Sequence, residues 1–372
     1  MRSRRRINNK KILFAFGTRP EAIKLCPLIG ELEAREGVDV KVCVSSQHKE
    51  LLYGVLDEFF VRRDDDLDVM RESQTLFDIT SGVLVKIKEV LSREAPDVVV
   101  VHGDTTTAFA VALACFYLGI PVAHVEAGLR TKNIRSPFPE EFNRRAISLI
   151  AKYHFAPTDT ARDSLASEGI ADENIFITGN TIADALHLTL RADYTHPLLD
   201  AAKGKRIIFL TAHRRENISS LEKMLTAIAR VAEKYKDVCF IYPVHPNPTV
   251  KETAERMLCK CDRVVLCPPL SVSDCHNILA RSYIILTDSG GLQEEAAVLH
   301  VPVLIMRDTT ERPEGIESGI ARLVGTSEQG IFDGACALLD DAQKYKKMSH
   351  AKNPYGYGGA SREIAEILLN KI

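Results

Sequence analysis

The groups most able to do chemistry in this 372-residue chain stand directly after short apolar runs. Asp104 follows "DVVVVHG", Glu126 follows "PVAHV", and Glu140 and Glu141 follow the proline-bracketed "PFP". Carboxylates in a closed, partly desolvated site can have raised pKa values suited to proton transfer. Asp104 precedes Thr105–Thr107, which open a helical pattern, so it reads equally well as an N-cap. Glu126 does not, because glutamate caps poorly and Gly128, Pro137 and Pro139 make the next stretch a loop. Glu140 and Glu141 fall in the first turn of the following helix, where the dipole alone accounts for one of them, Glu141.

The cations and glycines follow the same rule of placement. After the first apolar run comes "GTRPEAIK": Gly17 permits a tight turn, Pro20 suits a first helical position, and Arg19 and Lys24 bring charge to a helix N-terminus. An ordinary strand-to-helix turn with surface cations is the plainer reading of that segment. "IIFLTAHRREN" places His213 and Arg214 just past another run, and "CFIYPVHPNP" does the same for His245. Histidines at two strand ends suit phosphate contact better than metal, since no H-E-x-x-H-type spacing accompanies them. In "YIILTDSGGLQEEA", Ser289, Gly290 and Gly291 let backbone N–H groups approach a phosphate. Glu294 and Glu295, one turn on, are fit to accept from a ribose diol. Together these groups describe a nucleoside diphosphate site. "MRDTTERPEG" adds a polar loop with Arg307 and Arg312. Neither a Walker loop nor a G-x-G-x-x-G fingerprint is present, which counts against ATP and NAD.

The elements that must hold these groups alternate. "KILFAF", "VDVKVCV", "DVVVV", "PVAHV", "KYHFA" and "NIFIT" are separated by segments of helical spacing such as 105–118 and 141–151. The pattern restarts after Lys205 with "RIIFLTA", "VCFIYPV", "RVVLC", "YIILTD" and "VPVLIM". Short apolar runs separated by helices predict parallel sheets buried on both faces. The expectation is therefore an α/β protein of two similar domains, with ligands at the carboxyl ends of the strands and a cleft between the domains as the natural site. The domains are expected at 11–184 and 185–358, joined through a polar stretch near Asp184–Lys205. A basic leader, 1–10, precedes them, and a final helix, 359–372, is free to pack back on the first.

A net charge of −2 gives no bulk attraction to nucleic acid or anionic membrane. The apolar stretch behind the basic start is too short for a signal peptide, and no run is long enough to span a membrane. Nine cysteines, an odd count in a long chain, suit a reducing cytoplasm. Cys259, Cys261, Cys267 and Cys275, beside His276, lack the paired knuckles of structural zinc, so no metal is expected.

In order, "FGTRPEAIK", "HGDTTT", "HVEAGLRT", "SPFPEEFNR", "GNTIAD", "TAHRREN", "YPVHPNP", "TDSGGLQEEA" and "MRDTTERPEG" resemble the motifs of the non-hydrolysing UDP-N-acetylglucosamine 2-epimerases. The resemblance runs from about Lys11 to the C-terminus. It implies two Rossmann-like domains facing across a cleft (the GT-B type), usually in homodimers, acting on a UDP-sugar without NAD, metal or other cofactor. It implies reversible epimerisation at C2 between UDP-N-acetylglucosamine and UDP-N-acetylmannosamine, supplying N-acetylmannosamine for cell-surface polysaccharide. The family route eliminates UDP to a 2-acetamidoglucal and re-adds it. By the same resemblance Asp104, Glu126, Glu140 and His213 are catalytic, the carboxylates' division between the two faces of C2 being open. Arg19, Lys24, His245, Leu270, Cys275, Ser289, Gly290, Gly291, Glu295 and Arg312 fall on substrate-binding positions.

Two departures stand out. Cys275 replaces an aromatic residue that many members carry near the uracil. Bacterial members also bind a second UDP-N-acetylglucosamine as activator, and the segments aligned with that site here hold Gln47, His48, Glu50 and Ser73, with Arg214 as a further candidate contact. The loss of a cation before Gln74 and the gain of Glu50 predict altered or absent substrate activation. A steeply sigmoidal rate curve with UDP-N-acetylmannosamine, relieved by traces of UDP-N-acetylglucosamine, would contradict that expectation. The rival readings are a transferase of the same fold, an epimerase of a modified UDP-sugar, a nucleotide-sugar binding module, and the hydrolysing relatives that release free N-acetylmannosamine and UDP, which these motifs resemble less. Three clustered carboxylates favour proton transfer over the transferase and the module.

Overall fold

The computed structural model describes residues 9–46, 49–71, 74–131 and 133–372, apart from the side chains of Arg215 and Glu216. The first sheet is built from β1 (Lys10–Phe16), β2 (Val38–Val44), β3 (Asp65–Asp66), β4 (Val98–His102), β5 (Val122–Val125), β6 (Tyr153–Ala156) and β7 (Ile175–Ile177). Its strands are parallel and lie in the order β3-β2-β1-β4-β5-β6-β7. The second sheet contains β8 (Arg206–Thr211), β9 (Val238–Pro243), β10 (Val264–Cys267), β11 (Ile284–Thr287), β12 (Val303–Ile305) and β13 (Ala321–Leu323). Its order, β10-β9-β8-β11-β12-β13, repeats the plan, again parallel. Each is a Rossmann-like sheet whose order reverses beside its first strand, and ligand sites form at that reversal. The reversals fall between β1 and β4 and between β8 and β11.

Burial explains the strand composition. All five residues of β4 and all four of β11 are buried, as sheets covered by helices on both faces require. Helix ends are set by local chemistry. The helix Thr106–Leu118 starts where the Thr105 hydroxyl accepts from Ala108 N and ends at Gly119, which has φ 70°. Two strands lie outside the sequence expectation, β3 and β13. Both are short edge strands, and β3 is a pair of aspartates with no strand signature of its own.

The chain divides into two compact units. One runs to Leu188 and takes up Gly356–Ile372; the other comprises Thr189–Tyr355. The stretch read as a linker begins inside a helix, Ile182–Thr189, which belongs to the first unit up to Leu188. Asp184 on that helix accepts from Gly359 N (2.5 Å) and Ser361 N (2.8 Å). Its carboxylate thereby caps the last helix, Ala360–Lys371, and ties it to the first unit. Among the described residues no helix is long and apolar enough to cross a membrane.

Candidate active site

On the first unit the reversal between β1 and β4 gathers a set of buried acids and cations. The loop after β1 enters the helix Arg19–Glu33 through a capping box, Thr18 with Glu21. Glu21 is buried and does more than cap: one oxygen accepts from Gly17 N (3.0 Å), Thr18 N (2.8 Å) and Thr18 Oγ1 (2.8 Å). Its other oxygen accepts from Thr105 Oγ1 (2.8 Å), stapling the loop after β1 to the loop after β4. Burial pushes the Glu21 carboxyl up to about 7 in spite of those donors. Sequence reasoning passed over Glu21, although the T-x-x-E spacing announces it.

Asp104 is not the cap of the next helix, because Thr105 fills that role. Its Oδ2 instead takes Arg144 Nη2 at 2.5 Å, and its backbone oxygen accepts from Asn143 Nδ2 (2.9 Å). Both partners lie on the helix Glu140–Ile150, so the first turns of that helix bind the loop after β4. Glu126 directly follows β5 with φ 61°, a left-handed conformation that costs a non-glycine residue about 1–3 kcal/mol. Its carboxylate is 8% exposed and pairs with Lys24; it also accepts from Asn180 Nδ2 (3.0 Å) and lies 3.8 Å from His102 Nε2. Lys24, read from sequence as a phosphate contact, is in this structure the buried partner of Glu126. Arg19 and Glu140 are half-buried, each opening its helix. Gly128 is needed where it stands: at φ 92°, a Cβ would lie 2.2 Å from Ala161 O.

Glu141 stands in the first turn of its helix, as expected, but the dipole does not account for it alone: it is 0% exposed and accepts from Thr131 N (3.0 Å) and Arg145 Nε (2.7 Å), with Arg144 Nη1 at 3.3 Å. Arg144 therefore bridges Glu141 to Asp104. Arg130 is occupied as well, held bidentately by Glu168 and by Ser148 Oγ. Arg130, Arg144 and Arg145 hold carboxylates and loops in place.

On the second unit the corresponding reversal lies between β8 and β11. Asp288, fully buried after β11, accepts at Oδ2 from His213 N (2.8 Å), Arg214 N (2.9 Å) and Asn217 Nδ2 (3.3 Å). The His213 and His245 rings are stacked, with centroids 5.2 Å apart and planes at 5°. Ser289 makes no side-chain cap bond at the start of the helix Gly290–Val298. A Cβ on Gly290 would lie 2.5 Å from Arg312 Nη1, so only glycine lets that arginine come so close to the helix start. Arg312 is clamped by Glu294 (Nε to Oε1, 2.6 Å) and Glu311 (Nη1 to Oε1, 2.5 Å). Glu311 also takes Arg307 at 2.9 Å and has Arg214 at 3.6 Å. Burial would raise the Glu311 carboxyl, but Arg312, Arg307 and Arg214 hold it well below the usual carboxylate range.

Of the two glutamates read as diol acceptors, Glu294 is committed to Arg312, while Glu295 lies 3.7 Å from His276 Nε2. Leu270 and Cys275 are half-buried and pack against the apolar core of this unit. Among the candidate second-site residues, Arg214 joins the Glu311 group and Glu50 is exposed in the first turn of the helix Lys49–Glu58; Gln47, His48 and Ser73 lie outside the described residues. The residues that sequence reasoning missed are Glu21, Asp288 and Glu311. Asp288 and Glu311 lie inside quoted motifs, but only burial and partners reveal their work. All nine cysteines are unbridged. Among the described residues no group of three or more His, Cys, Asp or Glu side chains could hold a metal ion.

The family model described as UDP-N-acetylglucosamine 2-epimerase matches residues 30–369. The chain is 53% identical over 360 residues to the UDP-N-acetylglucosamine 2-epimerase of Bacillus subtilis, covering 96% of this chain and 95% of that protein. Among solved structures it is similar to the UDP-GlcNAc 2-epimerase of Neisseria meningitidis bound to UDP-GlcNAc, with TM-score 0.93 and 42% identity, covering 97% of this chain and 100% of that one. It is also similar to the Methanocaldococcus jannaschii UDP-GlcNAc 2-epimerase in complex with UDP-GlcNAc and UDP, with TM-score 0.86 and 34% identity, covering 97% and 99%. A family match over most of the chain and this level of identity place it: the chain belongs to the UDP-N-acetylglucosamine 2-epimerase family.

Proposed function

We propose that this chain interconverts UDP-N-acetylglucosamine and UDP-N-acetylmannosamine by eliminating UDP to a 2-acetamidoglucal and adding it back. The observation that carries the reading is the pair of strand-end carboxylates held against buried cations, Glu126 with Lys24 and Asp104 with Arg144. The C2 proton is not adjacent to a carbonyl, so its direct removal faces a large barrier. Breaking the C1–O bond sends its electron pair to the diphosphate and leaves C1 electron-poor. A carboxylate then takes the C2 proton as the C1–C2 double bond forms. Return of a proton to the opposite face, with re-addition of UDP at C1, gives the epimer. Asp104, Glu126 and Glu140 form the proposed proton-transfer set. Arg19, His213, His245, Arg312 and the N–H groups behind Ser289–Gly291 stabilise the departing diphosphate. Lys24 brings a cation to Glu126. Glu295 accepts from the ribose, and Leu270 and Cys275 lie toward the base.

We also propose a cytoplasmic homodimer. The unbridged cysteines support the compartment. Exposed apolar side chains on three successive helices support the dimer, as argued below.

The test is incubation with UDP-N-acetylglucosamine in heavy water, without added metal or NAD, with C2 followed by NMR. Deuterium at C2 of both epimers, with only traces of free UDP, is the expected result. Unlabelled sugar, or UDP released in step with turnover, would reject the mechanism.

A further inference from the structure

The buried carboxylate of Asp288 has two oxygens with different work. Oδ2 is saturated by two backbone N–H groups and the Asn217 amide. Oδ1 is also buried, accepts no hydrogen bond, and faces His213 Nδ1 at 3.5 Å. A buried carboxylate oxygen without a donor is costly, and a small rotation of the imidazole would supply one. The His213 ring is limited in its other direction by the His245 stack. Asp288 therefore fixes the loop that carries His213 and presents a second oxygen to the ring itself.

We propose that Asp288 is a positioning residue for His213, its Oδ1 accepting a hydrogen bond from Nδ1–H and so turning Nε2 toward the diphosphate. The inference rests on the reading of His213 as a diphosphate contact. With a carboxylate at Nδ1 and a phosphate oxygen at Nε2, both ring nitrogens face acceptors, and each carries a proton when the diphosphate is bound. The ring then meets the departing phosphate as a charged donor, in the manner of carboxylate–histidine pairs that fix an imidazole's tautomer.

The substitution Asp288→Asn separates this role from simple loop anchoring. The amide oxygen can still accept from His213 N and Arg214 N, so the amide NH2 must face His213 Nδ1. That nitrogen then accepts, and the ring keeps one proton, on Nε2. The expected outcome is a loss of kcat of about 10- to 100-fold with KM for UDP-N-acetylglucosamine within about threefold of wild type, in line with the loss of a partner that orients an imidazole. The direct readout is 15N NMR of histidine-labelled full-length protein saturated with UDP, the His213 signals being assigned by their loss in His213→Gln. Wild type should show both His213 nitrogens protonated, and Asp288→Asn an unprotonated Nδ1. An unprotonated Nδ1 in wild type with UDP bound overturns the proposal, as does an Asp288→Asn enzyme with wild-type kcat. If Asp288→Asn fails to fold, the wild-type spectrum alone decides. The spectrum does not depend on turnover, so a protein that shows the dyad but makes no epimer would refute the proposed reaction and leave the dyad standing.

Discussion

At the scale of single residues, the Glu126–Lys24 pair couples chemistry to stability. Both side chains are nearly excluded from water, 8% and 5% exposed, so each leaves the other as a buried charge when removed. Breaking such a pair from one side costs about 3–5 kcal/mol. Lys24→Met should lower the unfolding free energy, read from denaturant curves, by that amount, while Lys24→Met with Glu126→Gln should recover much of it. Glu126→Gln should abolish nearly all C2 exchange yet leave UDP affinity, read by calorimetry, within a few-fold. A single variant with full exchange would remove Glu126 from the mechanism. Glu126 was legible in the sequence because a glutamate at a strand end has no structural excuse. Glu141 was not, because a first-turn glutamate has one, and only the structure shows it fully buried between two arginines. Glu21 hid the same way, its capping-box spacing concealing a bridge to Thr105. A residue with two jobs is read from sequence by the commoner one.

At the scale of elements, strands buried on both faces announced themselves, and edge strands did not. The four valines of β4 need no tertiary context, whereas β3 pairs only through Cys43–Asp65 and Val44–Asp66. The helices carry a second message on their outer faces. Phe77 and Val85 on the helix Leu76–Glu94, Phe116 and Tyr117 on Thr106–Leu118, and Phe142 and Leu149 on Glu140–Ile150 are all exposed. The first of these helices packs on the second and the second on the third, and Phe109 meets Phe142 edge to face with centroids 5.6 Å apart. Exposed large apolar side chains on three helices packed in succession point to an interaction site. A second copy is the proposed occupant, which makes the surface isologous and sensitive to a charge. Light scattering should give twice the chain mass for wild type. Leu149→Glu, at a position 82% exposed in the single chain, should shift it toward one chain mass without loss of helix content. A monomeric wild type would remove the dimer, and an unaffected Leu149→Glu dimer would move the interface elsewhere.

At the scale of the whole molecule, the first unit buries titratable groups whose protonation opposes or favours folding across mild acid. His124 and His154 face each other across β5 and β6. Burial pushes His124 down to about 3, helped by nearby His154, His102 and Arg130, and pushes His154 down to about 4, helped by Arg130. Both stay neutral in the folded chain while the unfolded chain protonates near its ordinary value of about 6.5. Below that pH the unfolded state binds more protons, so stability is complete above about 6.5 and falls as pH drops. Glu21 has the opposite sign: burial lifts it to about 7, so the folded state binds the extra proton as pH falls toward the unfolded value of about 4.3. Between pH 6.5 and 4.5 two histidines therefore act against one glutamate. Each proton is worth about 1.4 kcal/mol per pH unit, and the net from these groups is a loss of about 1.4 kcal/mol per unit. Denaturant titrations at pH 6.5, 5.5 and 4.5 measure that slope. His154→Leu removes one of the two opposing protons and should flatten the slope by about 1.4 kcal/mol per pH unit. Glu21→Gln should steepen it by a similar amount, since it removes the only compensating group of the three. A wild-type limb that is already level, or a His154→Leu limb as steep as wild type, would show that these imidazoles are not held neutral by the fold.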